Sequence, residues 1–408
     1  MEGQATLDAI RVFVALVSVA ALAAMVVRRV ALPYSVTLVV VGLVAASLIP
    51  RGEFGVTPEL VLLVLVPGLV FEASLGIDLI ELRRTFAGVA ILAVPGVLVS
   101  AGIVAVVLQL ATGLPLGLGL IVGAIVAATD PVAVIATFRH LGSPRRLATV
   151  VEAESLLNDG TALVVFAIAV RAVTAEVGVA EAVVGFVSTI AVSAAIGAIA
   201  GWLGSRMIAL TDEHPIELSI SVAAAYGTYL VADSIHQSGI IATVVAGMVI
   251  GSYGRRVGMS ERSREALDTV WEFIAFLLTA FAFMLVGLAI SVGDLMGQLP
   301  WIAWGVVGIL VGRAVVVYGL LGGGSALLTR AGRGRKIPTG WLHVLFWAGL
   351  RGAVGIAMAL SLPADLPQRE LLQNITFGIV LFTLFVQGTT AELVVARAGR
   401  DPAEAAAA

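Results

Sequence analysis

"VEAESLLNDGTALVVF", residues 151–166, places Glu152, Glu154 and Asp159, together with Ser155 and Asn158, in a stretch otherwise apolar enough to sit in lipid. A carboxylate in hydrocarbon is costly, so such a group is expected to be paired or functional. Whether the chain around it spans a membrane decides the fold.

The 408 residues are 60% hydrophobic and 12% charged. A soluble domain carries about 25% charged residues, so the reading is an all-α polytopic membrane protein. The formal net charge of −3 identifies no partner, and no nucleic-acid partner is expected. The absence of cysteine excludes disulfides and thiol chemistry. Four His without HExxH spacing argue against a transition-metal site. There is no GxxxxGK[ST] phosphate loop. No cofactor is expected, and an enzyme is not.

A spanning helix needs about 20 apolar residues. By that rule about thirteen segments are expected, near 7–27, 34–50, 58–77, 86–110, 115–138, 147–172, 180–208, 215–234, 238–253, 266–290, 300–328, 338–362 and 370–396. The first is a retained helix rather than a signal peptide, because Arg28 and Arg29 follow its apolar run. "DPAEAAAA" reads as a short tail, so the expectation is one membrane domain over 1–408 with no soluble regulatory domain.

Basic residues orient the segments. Arg11, Arg51, Arg171 and Arg369 fall on one side and Arg313 and Arg351 inside segments, leaving eighteen of the 24 Lys and Arg on the other side. The positive-inside rule then puts the N-terminus outside and the C-terminus in the cytoplasm of a cell (inner) membrane protein. Six segments, a connector at about 180–208 and six more suggest repeats of inverted topology, about 7–172 and 215–396, with discontinuous crossing helices.

The fifth segment ends "GAIVAATDPVAVIATF". Proline cannot donate its amide and disfavours helix at the preceding residue. Asp130 before Pro131 fits an N-cap followed by the first helical position. A break there leaves the Thr129 region's carbonyls free of helix bonding, as transporters tolerate where a break lines an ion site.

The sixth segment begins near Leu147. At 1.5 Å per residue, Ser155 and Asp159 lie roughly 12 to 18 Å in, close to the middle of a ~30 Å core. Ser155/Asp159 and Glu154/Asn158 are both i, i+4 pairs on adjoining stripes of one helix. The short link "RHLGSPRR" makes the fifth and sixth segments antiparallel neighbours, so carboxylate, hydroxyl and carbonyl oxygens can converge. Such hard ligands suit an alkali cation.

Glu72, in "LVFEASLG", sits at similar depth and is a further candidate ligand or a cytoplasm-facing helix end. Arg351, in "FWAGLRGAVGIAMAL", needs a carboxylate partner if buried. Glu154 is the preferred one, which makes Glu154–Arg351 a structural pair and leaves Asp159 for ion chemistry. Flanking glycines permit a backbone break at Arg351. Arg313 has no evident partner, and packing or a helix-end contact is the expected role. Asp233 and His236 read as outer-loop residues, and Glu152 as a residue nearer the cytoplasm.

"ATDPVAVIATF", "EAESLLNDGTALVVF", "HQSGIIATVVAGMVIG", "FWAGLRGAVGIAMALSLP" and "FTLFVQGTT" together resemble the monovalent cation/proton antiporter family 1, its prokaryotic NhaP-like sodium/proton antiporters above all. The resemblance implies a homodimer in membrane lipid, with an interface domain and a six-helix ion-carrying core. It implies that Asp159 exchanges Na⁺ (or Li⁺) and H⁺, supported by Asp130, the Thr129 carbonyl, Ser155, Asn158 and Glu72, with Na⁺ held at Asp159, Ser155, Thr129 and Glu72. Asn158–Asp159, where a related branch has two acids, resembles the electroneutral branch and implies one proton per cation.

Two other chemistries fit parts of the pattern. An intramembrane aspartyl protease could use Asp130 and Asp159, but no GxGD is present and Ser155, Asn158 and Arg351 go unexplained. A cation channel also lines a path with carboxylates and carbonyls, but no filter repeat is evident. Proton-coupled cation flux separates the three.

Overall fold

The computed structural model describes residues 14, 17–25, 33–48, 60–141, 143–174, 178–331 and 337–398. Every regular element among them is helical. Of the first expected segment only residues 14 and 17–25 are described, all as helix, and the rest of it and the terminal tail lie outside the described residues.

The principal helices are α1 (Tyr34–Leu48), α2 (Val66–Leu75), α3 (Leu79–Ala93), α4 (Pro95–Thr112), α5 (Leu116–Ala127), α6 (Val132–Leu141), α7 (Arg145–Thr174) and α8 (Val179–Ile208). After them come α9 (His214–Ser234), α10 (Gly239–Val249), α11 (Glu261–Ala289), α12 (Leu299–Ala314), α13 (Thr339–Trp347), α14 (Ala353–Leu360), α15 (Arg369–Phe382) and α16 (Thr389–Ala398). Wider π-helical turns extend four of these, at Leu60–Leu65, Ile250–Gly254, Val315–Gly323 and Thr383–Gly388.

Local chemistry sets many of the ends. The Asp78 side chain accepts from the backbone N–H of Ile80 and Glu81 and starts α3, and Ser238 and Ser260 cap α10 and α11 in the same way. Gly113, at φ 77°, closes α4 in the left-handed region that glycine enters without steric cost.

Among the described residues eight helical stretches are long and apolar enough to cross a membrane, and three shorter apolar helices accompany them. Large apolar side chains such as Leu110, Val184 and Ile199 point outward, as they must where the solvent is lipid. The least buried of the eight is α8, the stretch expected to connect two halves. The protein is thus an all-helical, multi-pass membrane protein.

Two features of packing position the site. First, α4, α5, α12 and α15 pack side by side around an apolar core that includes Ile121, Ile125, Ile309 and Ile379. The α4–α5 contact is tight because a Cβ at Gly123 would overlap the Ala101 backbone. Second, α7 lies against α5 on one side and against α10 and α2 on another. Its polar stretch is thereby enclosed by apolar helices.

Candidate ion-binding site

Two helix breaks meet at the centre of the molecule. The helix α5 stops at Ala127, and Ala128 turns extended at φ −59°, ψ 135°. Helix resumes at Val132, whose N–H is accepted by Asp130 Oδ1 at 3.0 Å. This is the Asp-Pro cap that the sequence predicts. A second break separates α13 from α14, with Gly352 extended at φ −130°, ψ −154°.

The breaks satisfy one another. The Asp130 N–H donates to the Leu350 carbonyl at 2.8 Å. The Arg351 guanidinium returns the bond, its Nη1 donating to the carbonyls of Ala127 at 3.2 Å and Ala128 at 3.1 Å. Those carbonyls lost their helical partners at the break, and an unpaired backbone group in an apolar interior costs about as much as a lost hydrogen bond. Gly352 permits the approach, because a Cβ there would fall on the Asp130 side chain.

The polar face of α7 closes on the first break. Ser155 Oγ donates to the Thr129 carbonyl at 2.5 Å, and Asn158 Nδ2 donates to Thr129 Oγ1 at 2.6 Å. The Thr129 N–H donates to Asn158 Oδ1 at 3.3 Å, and Asn158 Nδ2 also reaches Glu154 Oε1 at 3.1 Å. Glu154, Ser155, Asn158 and Thr129 are each at most 3% exposed. Asp159 follows on the same helix at 8% exposure, and its Oδ1 is buried without a hydrogen-bond partner among the described residues. Arg351 Nε is in the same condition. The fold thus brings Thr129, Asp130, Ser155, Asn158, Glu154 and Arg351 into one polar crossing inside apolar surroundings, with Asp159 beside Asn158. Glu72 stands half-buried in α2, a helix that packs against α7.

One expectation fails. Glu154 does not take Arg351 as its partner; it takes Arg313, whose Nη1 and Nη2 donate to Oε1 at 2.5 Å and Oε2 at 2.9 Å. Arg313 also donates Nε and Nη2 to the Leu345 carbonyl in α13. The pair is a buried fork, 8% and 2% exposed, the geometry in which arginine is strongest. Arg313 therefore has a carboxylate partner, not merely a packing or helix-end role. The physical reason is the double break. Arg351 is occupied by the carbonyls of Ala127 and Ala128, so the carboxylate goes to the other buried arginine. Depth along a segment did not separate the two, since each lies well inside its expected segment, 300–328 and 338–362. The sequence signals only that each arginine, if buried, must find an acceptor, not which one takes Glu154.

The sequence model of the transmembrane sodium/hydrogen exchanger family matches residues 14–397. The chain belongs to that family. Among relatives of this exchanger, the Na⁺/H⁺ antiporter ApNhaP of Aphanothece halophytica is 38% identical over 370 residues, covering 90% of this chain and 70% of its own. The Na⁺/H⁺ antiporter NhaH of Halobacillus aidingensis is 34% identical over 394 residues, covering 90% and 92%. The solved sodium proton antiporter MjNhaP1 of Methanocaldococcus jannaschii shares the fold at a TM-score of 0.78, over 97% of this chain and 100% of that one, with 17% identity. The exchanger is accordingly a secondary transporter of the NhaP-like kind and not an enzyme, and the protease reading falls.

Proposed function

We propose that this exchanger carries one monovalent cation, Na⁺ first and Li⁺ second, against one H⁺ in each cycle, with Asp159 binding either ion in turn. The observation that carries the reading is the Asp159 carboxylate, buried with one oxygen outside any hydrogen bond among the described residues and adjoining a cluster of oxygen atoms at a double helix break. Ser155, the Thr129 carbonyl and Glu72 complete the coordination, and Asp130 and Asn158 support it. Glu154 and Arg313 hold α7 in place, and Arg351 holds the crossing.

Proton and cation compete for one carboxylate, so a site that moves only when loaded exchanges rather than leaks. The site is presented alternately to each face, and gradients set the direction. In this reading the helices form two inverted six-helix repeats, about 7–172 and 215–396, joined by a connector at about 180–208. Two copies form a homodimer in the cell membrane, each with its N-terminus outside and its C-terminus cytoplasmic, and serve pH and sodium homeostasis. The relatives named as Na⁺/H⁺ antiporters support the exchange of Na⁺ for H⁺.

Purified protein in liposomes holding a pH gradient tests it, with Na⁺, Li⁺ or K⁺ added in turn and the membrane potential clamped. Gradient collapse by Na⁺ in wild type and none in Asp159→Asn is the expected result. Collapse without any added cation, or equal collapse in Asp159→Asn, would overturn it. An unchanged rate when the clamp is released supports one-for-one exchange.

A further inference from the structure

The break between α13 and α14 has a second support that the ion chemistry above does not use. Helix α15 runs into the π-helical turn Thr383–Gly388, and π-turns inside α-helices collect at functional sites. The first residue of that turn, Thr383, is 1% exposed. Its Oγ1 donates to the Val380 carbonyl at 3.0 Å and accepts the backbone N–H of Arg351 at 3.1 Å. Arg351 is the residue whose side chain bonds the carbonyls of Ala127 and Ala128 and whose neighbour Leu350 accepts the Asp130 N–H.

The unwound stretch is therefore pinned from two sides. On the ion side it meets the residues 127–130 break, and on the far side it meets Thr383. A hydroxyl that both donates and accepts suits this place, because the amide of an unwound residue has no helical acceptor. Valine has the same shape without the hydroxyl and would leave that amide unsatisfied in the interior.

We infer that Thr383 is a positioning residue for cation binding: its hydroxyl fixes the backbone of Arg351, and Arg351 in turn fixes the carbonyls beside Thr129. The inference rests on the cation site proposed above.

The full-length protein in liposomes decides it through the split between KM and maximal rate for Na⁺-driven proton flux. Thr383→Val is expected to raise the Na⁺ KM by about tenfold, the order of effect when a buried donor loses its acceptor, with maximal rate less affected. Thr383→Ser, which keeps the hydroxyl, is expected to restore the wild-type KM. Thr390→Val serves as a control: Thr390 accepts the Trp347 Nε1–H at 2.9 Å, a bond to the side chain of the last residue of α13 and not to the backbone of the break, so its KM should stay at the wild-type value.

Should Thr383→Val not transport, the Na⁺ concentration that raises the thermal midpoint of the purified variant gives the same comparison. Should it not survive purification, Thr383→Cys, whose thiol is a weak acceptor, replaces it. An unchanged Na⁺ dependence in the variant lacking the hydroxyl would overturn the inference. So would a Ser variant as impaired as the Val variant, or an equal rise in the Thr390 control. Absence of Na⁺-driven flux in wild type would instead strike the proposed function.

Discussion

Asp130 donates its backbone N–H to the carbonyl of Leu350 at 2.8 Å, joining two broken helices whose residues are 220 positions apart in the chain. The bond requires close backbone approach, and Gly352 supplies it. Gly352→Ala would drive a methyl group into the Asp130 side chain, and overpacking of this kind costs roughly 1–3 kcal/mol where neighbours can shift. The expected outcome is protein that still inserts and purifies but exchanges cations at least about tenfold more slowly. Liposome flux alongside detergent-solubilised yield checks it.

The Glu154–Arg313 fork predicts a specific pattern of stability. Removing one partner of a buried ion pair costs about 3–5 kcal/mol because the other charge is left without compensation. Glu154→Gln and Arg313→Leu should each lower the thermal midpoint strongly. The double variant should be less destabilised than the sum of the two, by about 1–3 kcal/mol of coupling. The corresponding Glu154–Arg351 cycle should show the smaller coupling. Thermal unfolding in detergent measures all five variants.

How much of this was legible in the chain can be judged residue by residue. The break at Asp130–Pro131 was readable because proline's missing N–H and its constraint on the preceding residue are local properties. The meeting of Ser155 with the Thr129 carbonyl followed from helical spacing and a short antiparallel link, while the part of Asn158 came only with the family resemblance. The choice between Arg313 and Arg351 was not readable, because it depends on which arginine the freed carbonyls of Ala127 and Ala128 claim, a contact between segments far apart in the chain. The same holds for Thr383, one hydroxyl among many in a helix. Its role appears only once the π-turn sets it beside Arg351.

Gly160, directly after Asp159, carries another prediction. A Cβ there would overlap the side chain of Ile241 on α10. That helix is itself fitted closely to α2, since a Cβ at Gly247 on α10 would overlap the Ser74 side chain on α2, so the helix carrying Ile241 has little freedom to retreat. Gly160→Ala should reduce exchange severely, and Ile241→Ala added to it should restore most of the rate by removing the opposing bulk. A Gly160→Ala variant with wild-type flux would show that the contact yields freely.

Ser155 tests the ligand set. Its Oγ holds the Thr129 carbonyl at 2.5 Å, so Ser155→Ala removes one proposed ligand and the tether of a second. A rise in Na⁺ KM of about tenfold is expected, and more than that would fit the loss of both oxygens. Flux measured over a Na⁺ series supplies the number.

The central claim is that H⁺ and Na⁺ occupy Asp159 alternately, and calorimetric titration of Na⁺ into the purified protein over a pH series tests it most directly. Competition predicts that the apparent Kd for Na⁺ rises as pH falls, approaching about tenfold per pH unit at the acid end, where protons hold the site. Buffers of different ionisation enthalpy should show close to one H⁺ released per Na⁺ bound under those conditions, and Asp159→Asn should show no Na⁺ binding. A Kd independent of pH, or Na⁺ binding retained by Asp159→Asn, would contradict the account.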